Sequence, residues 1–138
     1  MASEQNLISV NGSGSLDFGD YSLTAKAKEP GFEFKGDLYK VKTFRDITKL
    51  EKNEMFVYES VPGTNVKNFI MEADGVRFCV EGPEDAQITL EMEPETEYEA
   101  KIGDEDAGTM KTNLGGKLVL SVELGDGPRD IEVKRMDG

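Results

Sequence analysis

The stretch Leu90-Glu-Met92-Glu-Pro94-Glu-Thr96-Glu-Tyr98-Glu-Ala100-Lys-Ile102 decides the fold. Apolar and charged residues alternate at period 2 on both sides of Pro94, the pattern of strands with one buried and one wet face. Proline cannot donate to a sheet ladder, so it marks the break between two strands. The order apolar-x-Pro-x-Thr-x-Tyr is that of a tyrosine corner, in which a Tyr near the start of a strand hydrogen-bonds back across the connection between two sheets of a sandwich. Pro94, Thr96 and Tyr98 are thus structural residues. Tyr98 is expected to be buried, with its hydroxyl bonded to backbone near the corner.

Outward from the corner the same period recurs. Upstream, Val76, Phe78 and Val80 alternate with Arg77, Cys79 and Glu81, and Ile88, Leu90 and Met92 form the next inward face. Downstream, Leu118, Leu120, Val122 and Leu124 give the cleanest alternation in the chain, and Ile131 and Val133 follow. Phe78, Leu90, Ile102, Leu118, Leu120 and Val133 are expected to share one core. Turn residues punctuate the strands: Val61-Pro-Gly-Thr64, Glu72-Ala-Asp-Gly75, Asn113-Leu-Gly-Gly116 and Gly125-Asp-Gly-Pro128. Asp74-Gly75 predicts a tight hairpin with positive φ. Gly103-Asp-Glu-Asp-Ala-Gly108 reads as a hairpin loop, and Asp46–Asn53 as a single helical turn or a loop. Short strands with turns every 8–12 residues, and no helical period long enough for βαβ crossovers, indicate an all-β, antiparallel, immunoglobulin-like or fibronectin III-like sandwich.

The polar stretch ending in Asn11-Gly-Ser-Gly14 reads as a flexible tail over 1–14. A single sandwich domain is expected over 15–138, with N-terminal strands in 15–44 and the sandwich core, of about eight strands, in 55–136. The chain of 138 residues is long enough to bury a core. No apolar run approaches the ~18 residues of a membrane span. The N-terminus has no basic, apolar leader, which sets the expectation of a cytoplasmic protein. Cys79 is the only cysteine, so no internal disulfide can form.

Charge is uneven. Residues 1–69 hold 9 Lys/Arg and 10 Asp/Glu, a net of −1, while residues 70–138 hold 7 and 18, a net of −11. Such a surface repels a phosphate backbone and an anionic bilayer, so neither nucleic acid nor membrane is an expected partner.

Catalytic constellations are missing. The chain has no His, which removes Ser-His-Asp and Cys-His systems, and no Gly-Lys-Ser/Thr phosphate loop. No cofactor is expected. Asp104, Glu105 and Asp106 are the only candidate calcium ligands read from the sequence, through their oxygens, and they lack the spacing of an EF-hand. Outward acids such as Glu91, Glu93, Glu97 and Glu99 leave a carboxylate-based glycoside hydrolase as the weakest of the functional alternatives. Cys79 falls on the outer face, with Arg77 its only basic neighbour in sequence.

Three resemblances add to this reading. Leu90–Ile102 resembles the corner of fibronectin type III modules, and Tyr98–Val133 resembles the sandwich modules appended to bacterial carbohydrate-active enzymes. The latter likeness implies carbohydrate binding as an alternative role. The whole chain, especially Gly36-Asp-Leu-Tyr-Lys-Val-Lys-Thr-Phe44, Phe56-Val-Tyr-Glu-Ser-Val-Pro-Gly-Thr64 and Lys111-Thr-Asn-Leu-Gly-Gly-Lys117, resembles a family of small acidic bacterial proteins of uncharacterised role, some labelled endosialidase. A sialidase needs a Tyr nucleophile, an Arg cluster and Asp-box repeats ending in Trp. The chain has 4 Arg and no Trp, so no catalytic residue is carried over.

The expected function is a non-enzymatic sandwich that binds a protein partner or associates with itself. Phe18, Tyr21, Phe32, Phe34, Tyr39 and Phe44 crowd 27 residues of the nearly neutral half and form the expected association surface.

Overall fold

A computed structural model describes residues 7–136. Thirteen strands form two antiparallel sheets that are not closed into a barrel. In chain order they are β1 (Ile8–Val10), β2 (Leu16–Phe18), β3 (Ala27–Phe34), β4 (Asp37–Phe44), β5 (Ile47–Lys52), β6 (Met55–Val61), β7 (Asn65–Glu72), β8 (Gly75–Glu81), β9 (Ala86–Glu91), β10 (Glu97–Ile102), β11 (Glu105–Lys111), β12 (Lys117–Val122) and β13 (Arg129–Arg135). The seven-stranded sheet runs β1-β2-β7-β8-β13-β10-β11, and the six-stranded sheet β12-β9-β6-β5-β4-β3. The last eight strands, β6–β13, begin at Met55; β1 and β2 extend one sheet, and β3, β4 and β5 the other.

The inward side chains of the two sheets meet in one core. At its centre Tyr58 stands edge-on to Phe18 and Phe78, with ring centroids 5.2 and 5.5 Å away, and Phe69 packs on Phe18 and Phe78 at 5.4 and 5.6 Å. Such edge-to-face pairs add to the burial of the rings themselves. Phe78, Leu90, Leu118, Leu120 and Val133 are buried together as the alternation predicts, and Ile102 packs partly buried at the margin.

One end of this core is polar. Tyr58 Oη and Ser60 Oγ each lie 2.8 Å from Thr64 Oγ1. Thr48 Oγ1 donates to the Thr64 carbonyl at 2.8 Å and accepts the Thr64 N–H at 3.0 Å. Its single proton is thereby used, so Thr43 must be the donor in their 2.8 Å contact. Thr43 in turn accepts the Asp20 N–H at 2.9 Å. Among the described residues no buried side-chain N or O lacks a partner.

Four local expectations are corrected. The expected tail over 1–14 is folded in part: residues 1–6 lie outside the described residues, but Ile8–Val10 pairs with β2, and Leu7 and Ile8 are buried. Asn11 makes this possible, its Oδ1 accepting the N–H groups of Ser13 and Ser15 at 2.9 and 3.2 Å to close the β1–β2 turn. Asp46–Asn53 holds the strand β5. Its inward residues are Thr48 and Leu50, and the hydroxyl of the first hides the period-2 pattern. The loop expected over 103–108 is a tight turn at Gly103-Asp104, and β11 begins at Glu105. Gly75 has no positive φ; the turn is at Ala73-Asp74, and Gly75 opens β8. A Cβ there would stand 1.9 Å from the Val133 carbonyl oxygen, so this glycine admits β13 rather than bending the chain.

Candidate binding surfaces

The corner forms as its spacing predicts. Tyr98 is 2% exposed and its hydroxyl accepts the Glu93 N–H at 3.1 Å, five residues back. Thr96 Oγ1 donates to the Pro94 carbonyl at 2.9 Å, and Glu95 takes up φ 50° between them. A second lock was not read from the sequence: buried Thr112 accepts the Thr96 N–H at 2.9 Å and donates to the Glu93 carbonyl. It lies 16 residues from Thr96, and no local pattern points to it.

The six N-terminal aromatics do not form an open face. Phe18 and Tyr39 are buried in the core, Phe32 and Phe34 pack against it, and Tyr21 and Phe44 are half-buried. Four of the six, Phe18, Phe32, Phe34 and Tyr39, thus mark the inward faces of the sheet extensions. None of the eleven aromatic side chains, all within the described residues, is exposed.

The candidate cation ligands also diverge. Asp104 is in the β10–β11 turn, Glu105 and Asp106 are on β11, and Asp106 Oδ1 accepts the Gly108 N–H at 2.8 Å. Among the described residues no group of three or more His, Cys, Asp or Glu is gathered where a metal ion could sit.

Cys79 lies half-buried in a shallow depression of about 340 Å³ on the outer face of the seven-stranded sheet, beside Arg77, Lys101 and Asp130. Burial, then the Asp130 carboxylate and its hydrogen bond, then Glu81, push the thiol above its ordinary value, against a smaller pull from Lys67. The thiol stays protonated at neutral pH and is a poor nucleophile.

The outer faces of the two sheets differ in charge. On the seven-stranded sheet cations face acids across neighbouring strands: Arg77 is opposite Glu132, Lys101 lies between Glu132 and Asp106, Lys134 is opposite Glu99, and Lys111 is opposite Glu97. On the six-stranded sheet Lys28 is opposite Lys42 and Lys42 is opposite Lys49, so three lysines stand in one row across β3, β4 and β5. With strands ~4.8 Å apart the row is roughly 10 Å long. The first acid in line is Glu59 on β6; Glu51 touches the row from the side, 3.6 Å from Lys49. Partial burial first, then Lys26, Lys49 and Lys28, hold the Lys42 ammonium below its ordinary value, opposed by Glu51. Residues 26–52 carry eight Lys/Arg against five Asp/Glu, a net of +3, so the other 111 residues carry −15. Averaging over half the chain conceals this; a window of two or three strands reveals it.

The sheets also leave edges open. β3 is interrupted by Pro30 and Gly31, where its register shifts against β4. β1 is three residues long, and β11 carries two acids at a register shift. β12 has none of these features: its register against β9 is unbroken from Lys117↔Glu91 to Val122↔Ala86.

Comparison with known proteins gives no relative: no family model, curated protein or solved structure matches the chain.

Proposed function

We propose that the protein is a non-catalytic sandwich that works by binding another protein, and that the outer face of β3–β5 takes a carboxylate-rich segment of that partner. The lysine row carries this reading. Like charges directly opposite on neighbouring strands destabilise a sheet. A lysine on an edge strand has a protective use, blunting the edge. That use accounts for Lys28 on β3 but not for Lys42 and Lys49 on the interior strands β4 and β5. A face that repels itself is relieved when an anion covers it.

The same charge map selects the anion. A long phosphate polymer leaving the row would run onto a surface of net −15, which opposes it. A short acidic peptide segment fits within the row. Carbohydrate binding in the manner of enzyme-appended modules uses exposed rings as platforms, and none of the aromatic side chains of this chain is exposed.

Fluorescence anisotropy with a short labelled Glu-rich peptide tests the reading, with polyphosphate and a neutral glucan as competitors. The expected result is peptide binding that weakens with salt and drops by about tenfold or more on Lys42→Glu plus Lys49→Glu, equivalent to ~1.4 kcal/mol. Equal binding by that variant, or displacement by the glucan, would overturn it.

A further inference from the structure

The β12 edge is a separate surface. Gly116 O accepts the Met92 N–H at 2.7 Å, and Gly116 continues the β12–β9 register, in which Lys117 is opposite Glu91. In an antiparallel ladder alternate residues exchange both backbone bonds with the partner strand. Gly116, Leu118, Leu120 and Val122 therefore turn their N–H and C=O groups to β9. Lys117, Val119 and Ser121 turn theirs outward, and among the described residues no strand pairs with them; the Lys117 N–H donates to Asn113 Oδ1 at 3.0 Å in its own turn.

The side chains leave this edge unguarded. Lys117 is the only charged residue of β12, and its ammonium is folded back over its own sheet, 2.9 Å from Glu91 and 4.7 Å above the Phe56 ring. Val119, at the centre of the outward set, is 49% exposed. An unbroken strand with no proline, no bulge and no free charge at its edge is the kind that adds another strand.

We infer that β12 pairs with β12 of a second copy, antiparallel, on a twofold axis at Val119, joining two six-stranded sheets into one. The register is self-complementary. Val119 faces its own counterpart and Lys117 faces Ser121, so the outward groups pair in about four hydrogen bonds while each Lys117 N–H keeps its bond to Asn113 Oδ1. The two Val119 side chains meet on the outer face, and on the inner face Leu118 of each copy lies opposite Leu120 of the other. A register shifted by one residue would bring outward groups against groups already bonded to β9. The lysine row is no part of this contact, so either surface can fail while the other stands.

Electrostatics separate the two experimentally. Each copy carries −12, so pairing between copies strengthens as salt screens the repulsion, whereas peptide capture by the lysine row weakens. Light scattering from micromolar to millimolar protein, at low and high salt, should show a monomer–dimer equilibrium shifted to dimer by salt. Val119→Lys should be monomeric with an unchanged melting temperature, because the side chain points outward. The register is tested by oxidation in a Cys79→Ser background. Val119→Cys should form a disulfide-linked dimer, since residues directly opposite in a hydrogen-bonded pair have Cα atoms ~5.5 Å apart, within disulfide reach. Ser121→Cys should not, because residue 121 faces residue 117. A monomer at every concentration and salt, a dimer that survives Val119→Lys, or equal crosslinking at 119 and 121 would each overturn the inference.

Discussion

The hydroxyl of Tyr58 is the point where the apolar core meets its polar end. Burial raises its pKa above the ordinary 10.0, and its hydrogen bonds to Thr64 and Ser60 only partly offset this. Tyr39 is raised for the same reason, with a smaller push from Asp37. The sign follows from which form is buried. The neutral phenol is the native form, so its contribution is intact below the unfolded value near 10.0 and is lost as pH climbs from there towards the folded value. In that window the stability of the protein should fall by about 1.4 kcal/mol per pH unit through Tyr58 alone. Denaturant midpoints across the alkaline range measure it. Tyr58→Phe should flatten that slope, whatever it does to stability at neutral pH; an unaltered slope would show that Tyr58 ionises freely. At this scale the sequence was legible where one short motif holds both partners, as at Glu93 and Tyr98. It was not legible where partners are distant. Thr43, Thr48 and Thr64 carry no sign that they share a buried network, because a threonine on a strand is as often wet as buried.

Among the elements, β12 shows how far alternation alone reaches. Its inward and outward residues separate completely, Leu118, Leu120 and Val122 buried and Lys117, Val119 and Ser121 exposed. Leu120→Ala should therefore cost roughly 2–5 kcal/mol. Val119→Ala, one residue away, should change stability by less than about 0.5 kcal/mol. Urea unfolding of the two variants compares them directly, and similar costs would mean that the strand is turned over. Alternation was legible in β8, β9, β10 and β12, where the buried positions are aliphatic or aromatic. It failed in β5 and β11 for opposite reasons. In β5 a buried threonine breaks the apolar face, and in β11 nearly every residue is exposed, so no inward face exists to be read. The Asp74-Gly75 pair misled because a glycine serves two ends, bending a chain or letting another chain come close.

For the whole molecule, composition and turn spacing were enough to give two antiparallel sheets, but strand order was not legible, because pairing between distant strands leaves no local trace. The order has a consequence in β13. That strand follows every other strand of its sheet in the chain, yet it sits between β8 and β10. Until residue 135 is available the seven-stranded sheet exists only as two fragments, β1-β2-β7-β8 and β10-β11, each with a raw inner edge. A ribosome making this chain therefore holds an unfinished sheet with a slot in its middle through the synthesis of every residue before Arg129. Nascent chains stalled with β13 still inside the exit tunnel should be cut readily by protease. Chains extended until β13 has emerged should resist, and resistance gained any earlier would mean that the slot is not needed to close the fold.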